Sequence, residues 1–246
     1  MKNILALVIF TILFSCIDNS DLMPYDKDQK GAEINIKGYS KPDIIQMRMN
    51  GNPIIINGNN SYTDKIETKI NFVLDKNETN ELGIYNNQTG NQIAKYNINY
   101  NNIDDYKNLY FFNLPDIFLQ TYVVKPQVNL GRVGFEFIFP NLGEFSGSSL
   151  ESVKGVLRKQ NGAILAEFNN IGKKDFTEVK IYTFFSATEP VYLELYKPGT
   201  TEPYMGSNII KVKIKQDIGA NLIVLQEKMI NGTFEVKGEI DVVDYL

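Results

Sequence analysis

Two tyrosines and a glutamate at alternate positions, Tyr192, Glu194 and Tyr196, have the types and spacing to recognise a sugar. An aromatic ring stacks on the C–H face of a pyranose, and a carboxylate accepts hydrogen bonds from its hydroxyls. If Val191, Leu193 and Leu195 face a core, the alternation of a strand turns Tyr192, Glu194 and Tyr196 the other way. By the same rule Tyr182 and Phe184 oppose a face made of Val179, Ile181, Thr183 and Phe185. Aromatic residues also suit sheet surfaces for packing alone, so cross-strand packing competes with ligand binding as the role of these rings.

Composition removes most other chemistry. The 246 residues include no histidine, no tryptophan and a single cysteine, Cys16. Ser-His-Asp and Cys-His nucleophiles and imidazole zinc sites are therefore excluded. Carboxylate chemistry survives, but a glycosidic pair is defined by a separation of roughly 5–10 Å in space, so Glu144, Glu151 and Glu194 stay unranked. Asp26-Lys27-Asp28-Gln29-Lys30-Gly31 opens like a calcium loop, yet Lys30 takes the fifth position and Lys37 the twelfth, where a bidentate glutamate is needed. No glycine run suits a phosphate, and Gly143 and Gly147 are isolated loop glycines. With a formal charge of −4 and lysines dispersed among acids, the chain carries no nucleic-acid footprint. The expectation is a protein without catalysis, cofactor or bound metal.

The first residues speak to location. Met1-Lys2-Asn3 precedes an apolar run from Ile4 to Phe14, too short for the roughly 20 residues of a membrane-crossing helix. It reads as the hydrophobic region of a signal peptide. Leu13-Phe14-Ser15-Cys16 resembles the lipobox of bacterial lipoprotein precursors, with Phe14 bulkier than usual at its position. The resemblance implies a signal peptide over 1–15, removed before Cys16, and acyl chains on Cys16 that anchor the protein to a membrane. Residues 16–31 follow as a flexible tether, polar and acidic at Asp18, Asp21, Asp26 and Asp28 and interrupted by Pro24. No cysteine follows Cys16, so the remainder must be stabilised without disulfides.

Period two dominates from Ala32 onward. Ile34/Ile36, Ile45/Met47/Met49, Ile66/Thr68/Ile70/Phe72/Leu74 and Ala94/Tyr96/Ile98/Tyr100 each place apolar residues on one side of a strand. Tyr96 and Tyr100 fall on the inward side. Asn50-Gly51, Asn57-Gly58 and the Asn86–Asn91 stretch around Gly90 supply the turns. Prolines at Leu114-Pro115 and Lys125-Pro126 break the alternation, which resumes at Val133/Phe135/Phe137/Phe139, Ile210/Val212/Ile214 and Phe234/Val236. Asn161-Gly162 is the strongest hairpin signal, between strands near 153–159 and 163–168. A helix starting at Ser148 competes there, and Gly155 favours the strand.

The pattern predicts an all-β protein of two tandem antiparallel, Ig-like β-sandwich domains, at 32–115 and 126–246, joined by a linker at 116–125. Such domains on a lipidated tether resemble accessory outer-membrane lipoproteins of Bacteroidota, including surface glycan-binding ones, and the Asn-, Ile-, Lys- and Tyr-rich composition is in keeping with that group. The resemblance implies a lipid-anchored, surface-exposed protein with a polysaccharide or an outer-membrane protein as partner. Glycan capture is the first reading. A structural or adhesive module is the second, and a carboxylate-based glycoside hydrolase the third.

Overall fold

Asn-Gly pairs set the hairpins. Asn50 and Gly51 have φ of 52° and 80°, Asn57 and Gly58 of 52° and 82°, and Asn231 and Gly232 of 50° and 77°. These left-handed pairs are the geometry whose twist matches two flanking strands. The computed structural model describes residues 28–186 and 189–246. Cys16, the apolar run and most of the tether lie outside the described residues.

The N-terminal half is one seven-stranded sheet that curls on itself. It comprises β1 (Gln29–Met49), β2 (Asn52–Pro53), β3 (Tyr62–Asp75), β4 (Thr79–Asn86), β5 (Gln92–Asn99), β6 (Asn108–Leu114) and β7 (Ile117–Leu119), with helix α1 (Ile103–Tyr106) between β5 and β6. The first part of β1 pairs antiparallel with β3, from Gln29↔Asp75 to Ser40↔Asp64, and parallel with β6. Its last part, Ile45–Met49, pairs with β4, keeping one pair to β3 at Ile45↔Tyr62. The strand bends between these parts at buried Ser40. That hydroxyl donates to the Asp43 carbonyl at 2.7 Å and accepts from Asn113 Nδ2 at 2.9 Å. The bend brings Ile34 and Ile36 into one core with Ile45, Met47, Leu82, Ile98 and Phe111. Gly38 is needed at the crossing, because a Cβ there would lie 2.4 Å from the Phe111 ring.

The C-terminal half has two four-stranded sheets facing each other. One runs β10 (Ile164–Gly172), β9 (Ser152–Lys159), β12 (Val191–Tyr196), β13 (Ile210–Ile214); the other runs β11 (Lys180–Thr183), β8 (Arg132–Ile138), β14 (Gly219–Ile230), β15 (Thr233–Asp241). Val133, Phe135, Phe137 and Phe139 fill the space between them, with Phe137 edge-on to Phe168 at 4.8 Å. Each such fully buried side chain is worth about 1.5–3 kcal/mol. Gly155 lies beneath Ile171 and Leu193, where a Cβ would come within 2.6 Å and 2.9 Å of their methyls. The segment is a strand, as its glycine suggests.

A third core joins the halves. Phe112, Leu114 and Leu119 pack with Ile138, Ala220, Leu222, Val224 and Val242. Strand β14 is therefore covered on both faces: Ile223 and Leu225 enter the sandwich core while Leu222 and Val224 enter the third. Its continuous run, Leu222-Ile223-Val224-Leu225, is the signature of such a strand and has no period two to find.

Several expectations need correction. The sheets are not wholly antiparallel, since β1 and β6 are parallel, as are β8 and β14. Strand β1 begins at Gln29, so the end of the stretch read as a tether is paired chain. Within 116–125, read as a linker, β7 pairs with β6, and Leu119 and Thr121 are buried.

Leu222→Ala is expected to cost about 2–5 kcal/mol in urea unfolding. Circular dichroism and tyrosine fluorescence should report one coincident transition, whereas two separated transitions would show that the third core does not couple the halves. Tyr96, 4% exposed, has a hydroxyl with no hydrogen-bond partner among the described residues, and burial pushes its pKa up to about 12. Tyr96→Phe is therefore expected to leave stability unchanged or raise it by up to about 1 kcal/mol, read from the same urea midpoints.

Candidate functional site

The five residues picked out by type and spacing do not form one platform. In β12, Val191, Leu193 and Leu195 are fully buried, so Tyr192, Glu194 and Tyr196 do turn to the other face. That face is a cross-strand ladder of charges. Glu194 Oε2 accepts from Arg158 Nε at 2.6 Å and from the Tyr196 hydroxyl at 2.7 Å, and Oε1 faces Lys211 Nζ at 2.9 Å. Lys154 and Glu167 continue the ladder at 2.9 Å. Glu194 is 6% exposed and Tyr196 also 6%, leaving Tyr192 as the half-buried member. Burial acts to raise the Glu194 pKa, but the hydrogen bonds from Tyr196, Lys211 and Arg158 outweigh it and hold the carboxyl at about 2.

Tyr182, on β11 of the opposite sheet, and Phe184, just beyond that strand, do not face outward. Tyr182 pairs with Val133, whose side chain is in the core, and residues directly opposite on neighbouring strands share a face. Its ring therefore lies 6.1 Å from that of Phe135, and its hydroxyl donates to Gln216 Oε1 at 3.0 Å. Ile181 is the residue turned out, 44% exposed. Phe184 is partly buried against the same core.

Glu227, Glu144 and Glu151 each have a definite place in the fold. Glu227, fully buried on β14, accepts from the backbone N–H groups of Gly143 (3.0 Å), Phe145 (2.8 Å) and Ser146 (2.9 Å), and from the Ser146 hydroxyl (2.6 Å). It fastens the loop after β8 to the sheet. Burial works against its charge, yet these bonds keep its pKa below the usual carboxylate range. Glu144 is exposed, and Glu151 pairs with Lys173 at 3.2 Å. Among the described residues no three His, Cys, Asp or Glu side chains are grouped to hold a metal ion, and Asp28 of the calcium-like stretch pairs with Lys76 at 3.2 Å.

A different set of rings comes together on the outer face of β3, β1 and β6. Because Ile36 and Gly38 face the N-terminal core, Lys37 and Tyr39 point outward, beside Glu67 and Lys65 of β3 and Tyr110 and Phe112 of β6. Residues 121–125 and the end of the chain wall this face into a groove of about 350 Å³. Two ring pairs line it: Tyr39 with Tyr245, centroids 4.7 Å apart, and Tyr110 with Tyr122, 4.5 Å apart. Tyr122 is 62% exposed and Val124 61%. Lys37 Nζ lies 3.1 Å from Glu67 Oε1, which raises the lysine pKa and lowers that of the glutamate through the shared hydrogen bond and charge.

Rings at several heights beside paired and free polar ends suit an extended ligand with alternating apolar and hydroxylated surfaces. The sequence signal for this site is slight. Tyr39 and Tyr110 stand out of phase with the buried Ile34/Ile36 and Leu109/Phe111 of their strands, but nothing local brings them to Tyr122 and Tyr245.

No protein-family model matches the chain, and no curated protein matches its sequence. Among solved structures it is similar to a family 26 carbohydrate-binding module from Amy13K of Eubacterium rectale, determined in complex with maltoheptaose. That likeness has 11% identity, covers 84% of this chain and 94% of the other, and has a TM-score of 0.22. At that score it carries no argument about ligand or fold, and the groove stands on its own residues.

The ladder makes an acid-stability prediction. With its pKa lowered from 4.5 to about 2, Glu194 contributes stability that is fully present above pH 4.5 and is lost as pH falls towards 2. Glu194→Gln is expected to lower Tm at neutral pH and to flatten the decline between pH 4.5 and pH 2. Parallel Tm–pH curves for the two proteins would show that Glu194 is not the coupled group.

Proposed function

We propose that this chain is a non-catalytic, lipid-anchored surface protein that captures glycan in the tyrosine groove. The observation that carries the reading is the convergence of Tyr39, Tyr110, Tyr122 and Tyr245, in two close pairs, on one open face beside Lys37 and Glu67. Stacking on a tyrosine face is tolerant of sugar type, and the hydroxyl, ammonium and carboxylate ends supply directional bonds. A reading without catalysis is supported by Glu194 and Glu227, two buried carboxylates whose oxygens are engaged within the protein. Anchoring through Cys16, outer-membrane location and two Ig-like sandwich domains are part of the proposal. The lipobox-like Leu13–Cys16 and the lack of any later cysteine support the first of these.

A protein-binding module is the second reading. The edge strands β13 and β15 flank a cleft of about 920 Å³ into which another strand could add. Lys211 and Lys213 alternate along β13 and Lys215 follows it, an arrangement that discourages edge-to-edge pairing, so the groove is preferred.

The test is native electrophoresis of the full chain in detergent through gels holding plant, bacterial, host and α-glucan polysaccharides. At least one glycan is expected to retard the protein. Tyr110→Ala with Tyr122→Ala should weaken that retardation about tenfold or more, corresponding to roughly 1.4 kcal/mol or above, while Tyr192→Ala should leave it intact. Retardation that depends on Tyr192 and ignores Tyr110 and Tyr122 would move the site to the ladder face, and none at all would favour a protein partner.

A further inference from the structure

We infer that the ligand of the tyrosine groove is an anionic glycan, one bearing uronate or sulfate groups, held by Lys65 and Lys125. The inference rests on the glycan reading above. The chain as a whole has 29 acidic and 25 basic residues, yet the side chains lining the groove include three lysines, Lys37, Lys65 and Lys125, and one carboxylate side chain, Glu67. Lysines on this face are otherwise matched: Lys37 to Glu67 at 3.1 Å, Lys41 to Asp64 at 3.3 Å and Lys69 to Glu33 at 3.0 Å. Lys65 sits among these pairs and Lys125 on the groove wall, and neither forms an ion pair among the described residues.

Register makes the arrangement specific. Lys65 is directly opposite Tyr39 on the neighbouring strand, so their Cβ atoms stand about 5 Å apart on one face. A sugar ring stacked on Tyr39 would thus carry its edge substituent within reach of the Lys65 ammonium. Lys125, three residues beyond Tyr122, lines the same groove. Two lysines outside any ion pair beside two ring pairs match a chain whose sugars repeat a flat apolar face and an acidic edge group. A neutral glycan would leave both exposed ammonium groups to water.

The experiment compares retardation of the full chain by a polyuronate, a sulfated polysaccharide and neutral polysaccharides, with Lys65→Gln/Lys125→Gln and Tyr110→Ala/Tyr122→Ala variants checked for fold by circular dichroism. The expected result is retardation by the polyuronate, the sulfated chain or both, weakened about tenfold by the lysine changes, reduced by added salt and lost with the tyrosine changes. Which acidic polymer retards more strongly tells carboxylate from sulfate. Equal retardation by neutral chains, indifferent to the lysine changes, would overturn the anionic assignment and leave the glycan reading standing. Acidic-polymer binding that survives loss of both tyrosines would be ion exchange on the surface and would overturn it too. No retardation by any polysaccharide would overturn both.

Discussion

Burial of the second face of β14 is the constraint on which the rest of the molecule depends. Leu222 and Val224 pack on Phe112, Leu114 and Leu119 from the other half, and the same cluster takes in Tyr39, Val123 and Tyr245 at its margin. Two walls of the groove, residues 121–125 and the chain end, lie outside the β3–β1–β6 sheet, so this packing is what holds them against it. Asp241 adds a polar fastening: its carboxylate accepts from Leu222 N–H at 2.8 Å and from Val243 N–H at 2.9 Å, tying the Val242–Tyr245 turn to β14. Tyr245 is thereby set beside Tyr39. With no cysteine after Cys16, apolar burial and such fastenings must do what disulfides do in many secreted proteins.

Several buried polar groups sit where chain direction changes or a loop must be pinned, with partners within the protein. Ser40 and Asn113 hold the bend in β1; Asn221 bonds across to the Gly134 carbonyl at 3.2 Å and back to that of Asp217 at 2.9 Å; Glu227 gathers the loop after β8. Glu194 has the same character on an outer face. A carboxylate whose oxygens are taken by Arg158, Lys211 and Tyr196 is held as a strut of the sheet, which is why the residue that looks most like a sugar acceptor in the sequence is structural in the fold.

The groove differs in being incompletely satisfied. Its rings are exposed or half-exposed, its walls come from distant parts of the chain, and two of its lysines lack carboxylates. In a chain with no tryptophan, tyrosine supplies both the stacking face and a hydrogen-bonding end. This openness, against a background in which most charges on the same sheet are paired, is what the proposal of a glycan site draws on.

Period two and turn chemistry, both local, were readable without the fold. The alternation of Val133, Phe135, Phe137 and Phe139, or of Val191, Leu193 and Leu195, marks a buried face because successive strand residues point to opposite sides. Asn-Gly pairs mark hairpins because both residues tolerate positive φ. Alternation does not say what covers the second face. Tyr196 and Glu194 are covered by cross-strand partners, and Tyr182 turns inward because β11 pairs it with Val133. The local pattern of β11, four residues long, could not choose between the two phases. Strand β14, buried on both sides, shows no alternation at all. The sequence by itself determined an all-β chain, its turns and most of its inward residues. Only the tertiary structure decided which outward residues meet, because Tyr39, Tyr110, Tyr122 and Tyr245 are made neighbours by strand order and by a core shared between the halves, neither of which leaves a mark on nearby sequence.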